Sequence, residues 1–353
     1  LHLSIRRQRQ MCIRDRVIIV QRGEIMNTRR KIIATAVAAL TTSVLASPVL
    51  AQAAWPNKPI RLVVGFAPGG GTDIVARALA PKMSEILGQN IIIENRSGAA
   101  GTIGADIVAK APADGYTLLM GHSNSNAIAP FVMAKVPFNA ATDFTPITYV
   151  GYVPNILVLH PSIPAKTVPE LISLAKNNPA QMTYGSSGIG STQHLAGALF
   201  SKIAKVQMNH VPYKGSGQAI IDLLAGQINM NFDTLPPVLP HVRAGKLKPL
   251  AISTPKRLSI LPDVPTFDEV GIKGFEVTNW YSVMGPKNMP KDMVAKIDAA
   301  VRAALNDPKN KATLDAQGLQ TAGPQTPDEF STFLKAELNK YSKLVKELNV
   351  KAE

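Results

Sequence analysis

The chain has 353 residues, 46% of them apolar and 18% charged, which excludes a disordered or fibrous protein and leaves room for two domains of ordinary size. Its net charge of +14 is concentrated at one end. Residues 1–53 hold nine Lys or Arg against two acids, and the remaining +7 is scattered rather than clustered with aromatics, so no nucleic-acid partner is expected. The single cysteine, Cys12, excludes a disulfide scaffold.

Residues 1–25 place six arginines ahead of a complete targeting segment and read as an artefact or an untranslated leader. From Met26, a basic stretch (Arg29, Arg30, Lys31), an apolar run from Ile32 and small residues around Ala51-Gln52-Ala53 have the layout of a secretory signal peptide over residues 26–53. Export to the periplasm is the expectation. Ile60 to Phe66 reads as a buried strand, followed by the turn Gly69-Gly70-Gly71 and a helix from Thr72 or Asp73 to Leu87, closed by Gly88. A strand at Ile91 to Glu94, a helix at Thr102 to Ala109 and a strand at Tyr116 to Met120 come next, then a polar loop from Gly121 to Asn126. This alternation predicts an α/β fold with parallel, doubly wound sheets, whose loops at the strands' carboxyl ends line a crevice.

Thr145 to Leu159 reads as strands bridging two domains, and Thr167-Val168-Pro169-Glu170 is a capping box opening a helix to Asn177. A strand at Met182 to Tyr184 and the loop Gly185 to Thr192 repeat the opening pattern of strand, glycine turn and helix start. Strands follow at Met208 to Val211, at Ile228 to Phe232 ending on Asp233-Thr234, and at Leu247 to Ile252, with a helix at Gln218 to Ala225. Trp280 to Met284 is expected to return to the first domain, which terminal helices cover, the last of them opened by a second capping box, Thr326-Pro327-Asp328-Glu329. The domain boundaries expected are 54–155 with 275–353, and 156–274.

Glycine turns at helix starts present unpaired N–H groups and the positive end of the helix dipole, which makes them anion seats. Gly65 to Thr72 has P-loop spacing, but Gly71 stands where the lysine belongs; as a dinucleotide fingerprint it has Ile74 in place of the third glycine. Nucleotide binding is therefore not expected. No serine sits in G-x-S-x-G, which leaves Ser191 with His194 as the one imaginable hydrolase pair, and no His spacing suggests a metal. Asp73 reads as a first-turn acid before a ligand contact. Asp233 could accept from a ligand amine, and Phe66, Trp280 and Tyr281 could wall the cleft.

Several stretches together resemble the Bug family of extracytoplasmic solute receptors, the binding components of tripartite tricarboxylate transporters. They include Val64-Gly65-Phe66-Ala67-Pro68-Gly69-Gly70-Gly71-Thr72-Asp73, Glu94-Asn95-Arg96, Asp114-Gly115-Tyr116-Thr117-Leu118-Leu119, Tyr184-Gly185-Ser186 and His210-Val211-Pro212-Tyr213-Lys214-Gly215. The resemblance runs in order from Trp55 to the last helix. It implies a two-domain periplasmic-binding-protein fold of type 2, a Venus flytrap closing over a small organic carboxylate, without cofactor, metal or catalysis. It also implies a monomer whose partners are its ligand and the membrane subunits of a transporter. Carried over residue by residue, it assigns one carboxylate to Phe66, Gly70, Gly71 and Asp73. The other end falls to Ser187, Gly190, Ser191 and Thr192, with Ser123 and Asn126 from the third-strand loop and Asp233 as the position that varies with ligand.

Overall fold

In the computed structural model, residues 55–351 are described apart from Ala180, Glu276 and Ala322. The expected leader and signal peptide lie outside the described residues. Strand β1 (Ile60–Val64) and helix α1 (Gly71–Leu87) open the first half. Gly88 ends α1 at φ 68°, the left-handed cap expected. Next come β2 (Ile91–Asn95), α2 (Thr102–Ala109) and β3 (Thr117–His122). Strand β3 runs two residues further than the sequence suggested, taking Gly121 and His122 out of the polar loop. The rest of that loop is a single π-helical turn, Asn124–Ile128, leading into the short α3 (Ala129–Val132).

Strand β4 (Phe144–Leu159) is continuous where strands in the plural were expected, and it is the spine of the fold. Beyond it lie α4 (Val168–Asn177), β5 (Thr183–Ser186), α5 (Thr192–Ala204), β6 (Asn209–Pro212), α6 (Ser216–Leu224), β7 (Met230–Thr234), α7 (Leu235–Arg243) and β8 (Lys248–Ile252). Strand β9 (Thr278–Pro286) returns, followed by α8 (Lys291–Asn306), α9 (Pro308–Ala316) and α10 (Pro327–Leu348). Both capping boxes form. Thr167 Oγ1 accepts from Glu170 N at 3.3 Å and Thr326 Oγ1 from Glu329 N at 3.2 Å, satisfying amides that the helix leaves unpaired.

Among the described residues the strands make one sheet in the order β2-β1-β3-β9-β4-β7-β5-β6, with β8 also on β4. β1, β2 and β3 are parallel, as are β5, β6 and β7. The all-parallel expectation fails at the centre, where β9 pairs antiparallel with both β3 and β4, and β4 pairs antiparallel with β7 and β8. A strand returning from the far half arrives pointing the other way, which element order alone does not show. Strand β4 changes partners along its length: it pairs with β9 through Pro154, and from Asn155 with β7.

Each half of the sheet is covered on both faces, so its strands are apolar on both sides. On β1, Leu62 belongs to the core that holds Val75, Leu79 and Met83 of α1 and Ile297 and Val301 of α8, whereas Val63 points to the opposite face, into the core that holds Val108 of α2 and Phe330 of α10. In the second half, Leu157 and Phe232 join Phe200 of α5, and Ile156 and Val158 join Ile220 of α6 and Val238 of α7. From Trp55 onward the chain forms one compact unit. No helix among the described residues is long and apolar enough to cross a membrane.

Candidate functional site

The N-termini of α1 and α6 meet where the two halves of the sheet face each other. A Cβ placed on Gly70 would lie 3.3 Å from Ser216 Oγ, and one on Gly71 would lie 2.5 Å from Tyr281 Oη and 2.9 Å from Thr234 Oγ1. Gly71 is thus glycine because side chains of two strands, β7 and β9, converge on its α-carbon. Around it is a cavity of about 10 Å³, room for one water, walled by Phe66, Gly70, Gly71, Thr72, His122, Asn124, Ser187, Gln193, Ser216, Thr234 and Tyr281.

Donors dominate this wall. Tyr281 is fully buried and its hydroxyl has no hydrogen-bond partner of acceptable geometry, while burial raises its pKa and keeps it protonated. His122 Nδ1 accepts from Asn124 N at 2.9 Å, which puts the ring proton on Nε2. Burial pushes His122 down to about 3, so it is a neutral donor. The first N–H groups of α1 and α6 have no intrahelical acceptor. No Lys or Arg among the described residues lines the cavity. An anionic oxygen is the group this arrangement suits, held by neutral donors and helix dipoles rather than by a counter-charge.

A relay crosses between the halves. Asn124 Nδ2 donates to Ser187 Oγ at 3.3 Å, Ser187 Oγ donates to Gln193 Oε1 at 2.8 Å, and Gln193 Nε2 donates to Asp233 Oδ1 at 3.3 Å. Thr192 N donates back to Asn124 Oδ1 at 2.8 Å. Asn124 thus bonds both Ser187 and Thr192 across the two halves, which Thr192 Oγ1 with Asn279 and Lys202 with Glu347 also join.

Of the residues singled out in the sequence, Phe66, Gly70, Gly71, Ser187 and Tyr281 are brought together at the cavity, whereas Trp280, expected to wall the same cleft, lines a different cavity. The others stand one layer back. Asp73 accepts from Gly69 N at 3.0 Å, Arg77 Nε at 2.9 Å and Asn95 Nδ2 at 2.9 Å. Burial opposes its charge, but those bonds outweigh it and hold the carboxyl below the usual range. Asn126 Oδ1 accepts from His122 N and Ser125 Oγ, and Ser123 Oγ lies 3.4 Å from His122 Nδ1. Gly190 N donates to His194 Nδ1 at 3.2 Å, and Thr192 Oγ1 bonds Asn279. Asp233, fully buried, accepts from Thr234 N at 2.7 Å and Asn231 Nδ2 at 2.9 Å. Burial pushes it up to about 6 against bonds from Gln193, Thr234 and Ser216.

Sequence reasoning passed over Thr72, Asn124, Gln193, Ser216 and Thr234, and it weighed His122 only as a metal ligand. Each lies within three residues of a glycine or polar residue in the loops it did examine, so proximity was the available signal. No group of three or more His, Cys, Asp or Glu among the described residues could hold a metal.

Ser191 and His194 do not form a nucleophile and base. Ser191 Oγ caps α5 by accepting from the His194 backbone N at 3.2 Å, and the His194 ring stacks on His210 at 3.8 Å with 5° between planes. Burial pushes His194 down to about 4. Burial and the neighbouring His194 take His210 to about 3. A histidine in the unfolded chain titrates near 6.5, so the stability gained from this neutral pair is complete above that pH and is lost as pH falls towards 4. Melting curves followed by circular dichroism should show the midpoint falling from pH 6.5 to 4.5, less steeply in His194→Gln. Parallel slopes would contradict the neutral stack.

Residues 75–350 match the family described as tripartite tricarboxylate transporter family receptor. Protein BugT of Bordetella pertussis (strain Tohama I) is 36% identical over 315 residues, 88% of this chain and 95% of its own. The solved structure of R. palustris Rpa4515 with adipate is 37% identical with a TM-score of 0.81, covering 84% of this chain and 99% of that one. MatC from Rhodopseudomonas palustris with bound malate is 32% identical with a TM-score of 0.79, covering 82% and 100%. The α/β architecture is that of the type 2 periplasmic binding proteins. The chain belongs to the tripartite tricarboxylate transporter receptors, which bind solutes and are not enzymes.

Proposed function

We propose that the chain is a periplasmic receptor for a small organic dicarboxylate, which it captures by closure of its two halves and delivers to the membrane subunits of a tripartite transporter. The observation that carries this reading is the ring of neutral donors around Gly71, where Tyr281 Oη and His122 Nε2 meet the N-termini of α1 and α6 without a cation in the wall. Helix N-termini favour a charged carboxylate over an isosteric amide. Relatives bound to adipate and malate support the ligand class, and the signal-like residues 26–53 support the compartment.

Closure follows from the volume. A cavity of about 10 Å³ cannot admit a dicarboxylate unless the walls part, and the walls come from both halves. The hinge we assign lies where β4 changes partners, between Pro154 and Asn155, and where the chain returns into β9 near Thr278. This hinge falls within about three residues of the division expected from the sequence, 54–155 with 275–353, and 156–274. Asn124 would act as the latch of the closed form. Asp233 would influence ligand choice through Gln193 and Thr234, which it orients, rather than by touching the ligand. Calorimetric titration with linear dicarboxylates beside their diamides tests the reading, with saturable heat expected from the acids only.

A further inference from the structure

A second cavity, of about 470 Å³, lies behind the hinge. Successive residues of a strand point to opposite faces, so Tyr281 faces the first cavity while its neighbour Trp280 faces this one. Tyr149 and Tyr152 of β4, Trp280 of β9 and Phe333 of α10 contribute aromatic walls. The Tyr149 and Phe333 rings meet edge-on at 5.1 Å between centroids, and Trp280 and Phe333 at 5.9 Å.

Two polar groups face this aromatic box. Glu337, 8% exposed, accepts from Trp280 Nε1 at 2.9 Å through Oε2. Among the described residues its other oxygen meets only the ammonium of Lys340 at 3.5 Å, a long contact from a partly exposed side chain. Thr254, 7% exposed, lines the cavity with a hydroxyl that has no partner. Asp268 adds a second carboxylate, so the charged groups of the wall among the described residues sum to an excess of one negative charge. Aromatic faces and a buried carboxylate attract a cation and give nothing to an anion.

We propose that this cavity binds a small organic ammonium ion, its apolar body against Tyr149, Tyr152, Trp280 and Phe333 and its charged head on Glu337 Oε1 in place of Lys340. The site is opposite in charge preference to the first cavity. Because its walls come from both halves of the sheet, its occupant sits across the hinge.

Trp55 and Trp280 are the only tryptophans, so Trp55→Phe leaves Trp280 emission as a direct reporter. Phenethylammonium should change that emission saturably and bind about tenfold more tightly than 2-phenylethanol, its neutral counterpart. Glu337→Gln keeps an acceptor for Trp280 and should bring the two probes level, while Lys340→Ala removes the competing cation and should tighten ammonium binding. The melting temperature of each variant, measured alongside, separates loss of the site from loss of the fold. Equal binding of the two probes by the Trp55→Phe protein, a change that does not saturate, or weaker ammonium binding in Lys340→Ala would overturn the proposal.

Discussion

Gly71→Ala is expected to lower dicarboxylate affinity by about 100-fold, or roughly 2.7 kcal/mol, while the protein stays folded. The new Cβ would stand 2.5 Å from Tyr281 Oη and 2.9 Å from Thr234 Oγ1, closer than any non-bonded contact allows. Alanine suits the first turn of α1 better than glycine does, so the helix itself gains slightly. The penalty falls on the seat, because the methyl occupies the point where the Tyr281 hydroxyl and the α1 amides converge. Calorimetry on the wild type and the variant, with thermal melts alongside, checks this. Unchanged affinity would mean that the ligand's charged end sits elsewhere.

Phe232→Ala is expected to destabilise the protein by about 3–5 kcal/mol, the usual cost of truncating a fully buried phenylalanine. Phe232 lies on β7, wholly inaccessible, with rings of Phe200, Tyr184, Phe275 and Phe267 at 5.3, 6.1, 6.1 and 6.4 Å. A methyl in its place leaves a void that four rigid rings cannot close. Its neighbour Asp233 holds Gln193 and Thr234, so slackening β7 also loosens the cavity wall. Urea unfolding measures the loss, with Ile86→Ala on the exposed face of α1 as the control. A loss below about 1 kcal/mol would show that the second core repacks freely.

Most elements were legible because their signals are local. Gly88 after Leu87, Thr167 before Val168 and Thr326 before Pro327 mark helix ends by chemistry that needs no partner, and the structure places them within a residue or two of expectation. The antiparallel β9 was not legible, since pairing direction depends on where a strand arrives. Nor was the single-strand continuity of β4, because Pro146 and Gly151 look like interruptions and are accommodated as register shifts.

The site was half legible for a related reason. Loops at helix starts were the right place to look, but polar side chains there are drawn to the backbone. Asp73 accepts from Gly69 N and Ser191 from His194 N, which uses up the atoms a ligand would need. Gln193, two residues beyond the cap, and Ser216, which follows its cap Gly215, bond to side chains rather than to helix-start amides and line the cavity. On β3 and its turn, the bend at His122 to Asn124 turns Asn124 towards Ser187 and leaves Ser123 and Asn126 supporting His122. That difference of one residue is set by a π turn, which no composition or spacing announces.

The central claim, that neutral donors around Gly71 hold a dicarboxylate, is tested most directly by calorimetric titration of the wild-type protein with adipate and with malate, each beside its diamide. The account predicts saturable one-to-one binding of at least one acid and no binding of either diamide. Heat from the diamides equal to that from the acids, or none from either acid while an amine or a neutral sugar binds with the same stoichiometry, would contradict it.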